Sequence, residues 1–297
     1  MSIRPVDRVI PTTSKLEGAG VHLQRAFGFG DTEAFDPFLL FDDFRNDIPE
    51  QYLAGFPWHP HRGIETITYV LAGTVEHGDS MGNKGAIEAG DIQWMTAGSG
   101  IIHQEMPQGD AQGRMHGFQL WANLPSSLKM TSPHYQEVKS AQIPEVTDDD
   151  GTKVRVVAGE FWGKRGSVDG IAADPTYLDV SVPPGVRKVL PMDTRRQAFA
   201  YVFEGAGVFA DASNPRPIPT EAMDGTITPS EVGDRSLVLF SSGDEIVVQA
   251  GEQGIRFLLV SGKPLREPVA WYGPIVMNTH AELQEAIKDL NDGTFLR

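Results

Sequence analysis

Short apolar and β-branched runs recur along nearly the whole chain. Each is about a strand long and is closed by glycine, proline or an acidic turn. Examples are "ETITYVLAG" (Glu65–Gly73), "DIQWMTA" (Asp91–Ala97), "GFQLWANL" (Gly117–Leu124) and "KVRVVAGEF" (Lys153–Phe161). The pattern continues through "TYLDVSV" (Thr176–Val182), "QAFAYVFEG" (Gln197–Gly205), "SLVLFSSG" (Ser236–Gly243), "DEIVVQAG" (Asp244–Gly251) and "RFLLVSG" (Arg256–Gly262). Runs of this length with turn residues between them predict the strands of an all-β sandwich or barrel. Helical periodicity is confined to "THAELQEAIKDLNDGTF" (Thr279–Phe295). There Thr279 is placed as an N-cap, Leu283, Ile287 and Leu290 share a face, and Gly293 ends the helix.

The strand pattern repeats. "ETITYVLAGTV" resembles "QAFAYVFEGAGV", and "GDIQWMTAGSGIIHQE" resembles "RSLVLFSSGDEIVVQAGE". At 297 residues the chain has room for two domains of roughly 150 residues each. Two similar β-domains in tandem are therefore expected, over residues 1–138 and 139–297, with the helix at the end of the second.

Composition narrows the function. The chain holds 40 acidic and 25 basic residues, a formal charge of −15. Such a surface repels phosphate backbones and anionic lipid, so nucleic-acid and membrane partners are not expected. There is no cysteine, which excludes disulfides, thiolate ligands and cysteine nucleophiles. No stretch approaches the ~18 apolar residues of a membrane helix, and the N-terminus does not read as a leader. A cytoplasmic protein is expected, or a nuclear one in a eukaryote.

The candidate chemistry begins in "GFPWHPHRGIET" (Gly55–Thr66). On an extended segment His59 and His61 point the same way, roughly 6.6 Å apart, while Pro60 points to the other side. Proline places this segment at a sheet edge or strand entry. A second pair, His103 and Glu105 in "GSGIIHQEMP", has the same spacing. Three imidazoles and one carboxylate form a mixed nitrogen and oxygen set suited to a divalent first-row metal. In the repeat alignment these residues fall opposite about Pro191, Asp193, Gln249 and Gly251, so the second copy keeps the scaffold and lacks the ligands.

Taken together, "HPHRGIETITYVLAG", "GDIQWMTAGSGIIHQEMP", "HGFQLWANLP" and "YGPIVMNTHAEL" make the chain resemble the pirins, members of the cupin superfamily. The resemblance extends over most of the chain. It implies two tandem cupin barrels of the double-stranded β-helix (jelly-roll) type, with one metal in the N-terminal barrel. Carried over, the ligands are His59, His61, His103 and Glu105, and the C-terminal barrel holds none. Many other cupins use HxHxxxE, a spacing that His59, His61 and Glu65 also meet. The pirin pattern assigns the carboxylate to Glu105. Glu65 then becomes a partner for Arg62 or an orienting group behind the ligands.

The metal implied is Fe(II), with Mn, Co, Ni, Cu and Zn as alternatives, since N/O sites discriminate weakly. Phe56, Trp58, Trp94 and His116 are candidate walls of a substrate pocket, against the plainer reading of barrel packing and a satisfied core histidine. His77 is expected in an exposed loop. His22, His134 and His280 belong to no constellation. The resemblance implies quercetin 2,3-dioxygenase chemistry on a small aromatic substrate with O₂, Glu105 taking a substrate proton. It also offers two non-catalytic readings: an iron-dependent regulator with a protein partner such as a transcription factor or metabolic enzyme, and an idle metal site. A monomer is expected, because two barrels in one chain can cover their own sheet edges.

Overall fold

The apolar runs become antiparallel ladders. Ile64–Ala72, the centre of "ETITYVLAG", pairs on one side with Ile92–Thr96 and on the other with His116–Asn123. Flanked on both sides, its first seven residues are buried whatever their polarity. The computed structural model describes residues 2–210 and 231–296. Most of its regular structure is strand, and the C-terminal helix is the one long helix among the described residues. None of the described helices is long and apolar enough to cross a membrane.

The chain divides into two units. The first barrel comprises Thr12–Ile143, Ser167–Asp174 and Pro264–Arg297. Its larger sheet runs in the order His134–Val138, Ile92–Thr96, Ile64–Ala72, His116–Asn123, Phe38–Asp43, Val21–Phe27, Thr13–Glu17. Its smaller sheet runs Phe56–His61, Ile101–Gln108, Thr74–Asp79, Lys84–Ile87. The second barrel comprises Met1–Pro11, Pro144–Gly166 and Pro175–Lys263.

The internal repeat survives in the pairing. Ile64–Ala72 pairs Ile92–Thr96 as Gln197–Phe209 pairs Ser236–Phe240, and Phe56–His61 pairs Ile101–Gln108 as Arg187–Pro191 pairs Glu245–Gly262. Facing directions differ from the sequence alignment by one residue. In the second barrel Leu190, Ile246, Val248 and Ala250 point into an apolar core, while Pro191 and Gln249 lie on the more exposed face. A one-residue slip exchanges the faces of a strand, so the inward positions of this ladder are aliphatic.

The expected division at 138/139 lies close to the crossing at Ile143/Pro144, but the two ends are exchanged. Val6–Pro11 pairs with Ser236–Phe240 and covers an edge of the second barrel's sheet. The C-terminal helix, His280–Asp292, belongs with the first barrel. Sequence order does not reveal either pairing, because each joins an end of the chain to residues far away in sequence. The helix itself begins and ends as expected. Thr279 caps it in a reciprocal pair with Glu282, and Gly293 closes it in the left-handed conformation at φ 73°. Its packed face uses Leu283 and Ala286, while Leu290 stays exposed.

One cation ties the N-terminal segment to the second barrel. Arg4 is 1% exposed, and its guanidinium donates to the carbonyls of Gly243 (2.8 Å), Ser241 (3.0 Å), Asp193 (2.6 Å) and Arg196 (3.1 Å). Arg4→Ala leaves those buried carbonyls without their charged donor. It should cost roughly 2–4 kcal/mol in urea unfolding. Arg8→Ala, on the following strand Val6–Pro11 at an exposed pair with Asp7, should stay within about 0.5 kcal/mol.

Candidate metal centre

Two facts of strand geometry assemble the centre. Side chains alternate along a strand, and directly opposed residues of an antiparallel pair share a face. Phe56–His61 is the edge strand of its sheet, which is why Pro60 is tolerated there. In its ladder with Ile101–Gln108, His59 stands directly opposite His103, and His61 opposite Ile101. His59, His61 and His103 therefore turn inward together. The three rings lie 4.4–5.0 Å apart by centroid, and one ligand atom from each falls within 4.8 Å of the others. Glu105 stands slightly apart, its Oε2 3.9 Å from His103 Nε2.

Hydrogen bonds fix which nitrogens are free. His59 Nδ1 is 2.9 Å from the Pro57 carbonyl, and His61 Nδ1 is 3.3 Å from the Pro274 carbonyl. A carbonyl only accepts, so both imidazoles carry their proton on Nδ1. Both Nε2 lone pairs are then left facing one another at 3.1 Å. Neither ring can donate to the other, so the contact is repulsive unless a cation lies between them. A separation of this size is within reach of two nitrogens that would share one ion at about 2.1 Å each. His103 is 1% exposed with no hydrogen-bond partner on either nitrogen. Burial, followed by the neighbouring imidazoles, holds the pKa of His61 and of His103 well below the ordinary histidine value. Burial also lowers that of His59. Neutral imidazoles are the form that coordinates a metal. These residues fit a divalent cation by donor type, protonation and spacing.

Burial pushes the Glu105 carboxyl up to about 7. The Thr68 hydroxyl donates to Gln119 Oε1 at 2.6 Å and lies 3.3 Å from Glu105 Oε1. His59, His61 and Glu105 open onto a cavity of about 570 Å³. That lies within the usual range for small-molecule sites. Its apolar walls include Tyr52, Phe56, Met115, Trp121, Trp271 and the exposed Phe29. Its polar features are Thr68, Gln119 and an Arg25 guanidinium clamped by both oxygens of Asp42 (2.7 Å each) and by Glu17 (2.9 Å).

Of the expected pocket residues, Phe56 is in the wall and three are not. Trp58 alternates to the outside and is 54% exposed. Trp94 is buried but sits directly opposite Ile67. Ile67 is offset by one residue from the cavity-lining Thr68, so both point away from the cavity. His116 is half-buried at the strand end, 2.6 Å from Asp47, and is neither a wall nor a core residue. The same alternation removes Glu65 from the centre, since it shares the face of Ile67. Its carboxylate accepts from Thr96 Oγ1 at 2.9 Å. Arg62 pairs with Asp289 (2.8 Å) instead of Glu65. His77 is buried within Thr74–Asp79, where Gln93 (3.0 Å) and Glu137 (3.2 Å) meet its Nε2. The expected loop begins later, because the strand runs on to Asp79.

Gln119 and Trp121 were not anticipated, although their signal is local. They are two apart in "GFQLWANL" and so share the face opposite the buried Phe118 and Leu120. Trp271 and Pro274 carry no local signal, because they arrive from the C-terminal segment.

Comparison with known proteins agrees with this architecture. The Pirin family model matches residues 20–122, and the Pirin C-terminal cupin domain matches residues 177–296. A pirin-like protein of Caulobacter vibrioides is 42% identical, over 99% of this chain and 100% of its own. Human pirin is 37% identical, over 98% of this chain and 93% of its own. A crystal structure described as quercetin 2,3-dioxygenase from Acinetobacter baumannii superposes with a TM-score of 0.85 at 32% identity, covering 99% of this chain and 98% of that one. With both barrels matched and relatives aligned end to end, the chain belongs to the pirin family.

Proposed function

We propose that the first barrel is a metal-dependent dioxygenase site for a flat, hydroxylated aromatic substrate of the flavonol kind, held by His59, His61, His103 and Glu105. The observation that carries this reading is the pair of Nε2 lone pairs facing each other at 3.1 Å on the wall of an aromatic-lined cavity. The dioxygenase description of a 32% identical structural neighbour supports the reaction class. A divalent metal, Fe(II) first among the candidates, supplies Lewis acidity toward a substrate hydroxyl and a redox partner for O₂.

The chain's own residues do the rest. His59, His61 and His103 bind as neutral donors. Trp121 and Phe56 offer faces on which a planar ring system can lie. Glu105, held beside Thr68, accepts the substrate's hydroxyl proton on a carboxylate oxygen as the ring becomes electron-rich. The apolar walls exclude water from the deprotonated substrate.

Three outcomes test this. Protein loaded anaerobically with Fe(II) should consume quercetin when O₂ is admitted, with loss of flavonol absorbance and release of carbon monoxide. Iron bound without turnover would return the chain to the non-catalytic, regulatory reading. His59→Ala should lose its metal, from about one equivalent to below about 0.1 by elemental analysis, while far-UV circular dichroism stays that of the parent. Glu105→Gln should lower kcat by about 10²–10⁴ in protein that still carries metal. Turnover unchanged in metal-loaded Glu105→Gln would remove Glu105 from the proton transfer.

A further inference from the structure

Three consecutive residues, His61, Arg62 and Gly63, are each held by the C-terminal segment of the same barrel. The Pro274 carbonyl takes the Nδ1 proton of His61. The Arg62 carbonyl accepts from the Val276 amide at 3.0 Å. Lys129 Nζ, itself buried, donates to both the Gly63 and Val276 carbonyls at 2.8 Å. Gly63 lies at φ +78°, and a Cβ there would stand 2.0 Å from the Val276 oxygen. The two backbones are as close as glycine allows.

The side chain of Arg62 extends this grip to the helix. It is 1% exposed. Its Nη1 donates to Asp289 Oδ2 at 2.8 Å, its Nη2 donates to the Phe295 carbonyl at 2.7 Å, and the guanidinium lies 4.2 Å from the Phe295 ring. A buried ion pair contributes little net stability against an apolar replacement of the same volume. Its best-attested use is to set a register. The register set here is that of the strand carrying His61. His59 differs, since its acceptor is the local Pro57 carbonyl. One ligand of the pair is oriented by its own turn and the other by a segment more than 200 residues away.

Resting on the metal reading above, we propose that Arg62 is a positioning residue for the centre. Through its contacts with Asp289 in the C-terminal helix and Phe295 just beyond it, the C-terminal segment sets where His61 stands. The C-terminal segment is then a working part of the site, and its loss should weaken the metal before it unfolds the barrel.

The test uses the full chain, stripped of metal and titrated with Co(II). Affinity is read by chelator competition and coordination by the visible bands, at a temperature where circular dichroism shows every variant folded. Arg62→Met keeps the aliphatic packing and removes the ion pair without leaving an unpaired buried cation. Asp289→Asn removes the charge from the other side. Both should raise the Co(II) Kd by about 10–100-fold and shift the visible bands. The double variant should be no weaker than the poorer single one, as for two ends of a single interaction. Lys288→Ala, at an exposed pair with Asp292 on the same helix, should leave Kd within twofold. If Asp289→Asn does not fold, Arg62→Met decides alone. Parent-like Kd and bands in folded Arg62→Met would overturn the proposal and leave the metal reading intact. A parent that binds no Co(II) would overturn both.

Discussion

Two imidazole lone pairs pointing at one another cannot be left as they are in a buried site. In this barrel the carbonyls of Pro57 and Pro274 take the Nδ1 protons of His59 and His61, so neither ring can rotate its proton into the gap between them. Protonating one of them is opposed by burial and by the third imidazole at His103. A divalent cation answers the conflict at once, which is why this constraint organises the surrounding structure. The polar inward face of the edge ladder, the carboxylate beside it and the aromatic cavity in front of it are all arranged around this gap.

The second barrel shows what the same ladder does without that constraint. Its equivalent strands turn Leu190, Ile246, Val248 and Ala250 inward, and they join a continuous aliphatic core. Each such side chain contributes roughly 1.5–3 kcal/mol by leaving water. The first barrel gives up that contribution along one ladder and keeps a cavity. Its remaining core is split into separate clusters, including Leu39, Ile64, Met95, Ala97, Ile101 and Val276 on one side and Val21, Leu23, Tyr52, Val70, Val75 and Met115 on another. Val276 comes from the C-terminal segment, so that end of the chain supplies part of the packing that the site removes.

How much of this was legible depended on distance along the chain. Strand positions followed from composition and spacing, and the helix limits from Thr279, Glu282 and Gly293, because these are local effects of a few residues. The pairs His59/His61 and His103/Glu105 were legible for the same reason: a spacing of two on a strand is a shared face. Errors arose where one residue of phase or a distant partner mattered. Trp94 and Glu65 fall on the wrong face by a single step, and Trp58 alternates outward. Arg62, read as a partner of nearby Glu65, reaches Asp289 instead.

The amino-acid sequence by itself determined two β-barrels, the asymmetry between them, and the shared faces of His59 with His61 and of His103 with Glu105, since residue type and alternation act within a strand. Only the tertiary structure decided that His59 lies opposite His103, that Gln119 and Trp121 share the cavity with Trp271, and that the last thirty-odd residues belong to the first barrel. Ladder register and the docking of the chain's ends are set by packing between segments dozens to more than 200 residues apart, and no local pattern encodes that meeting.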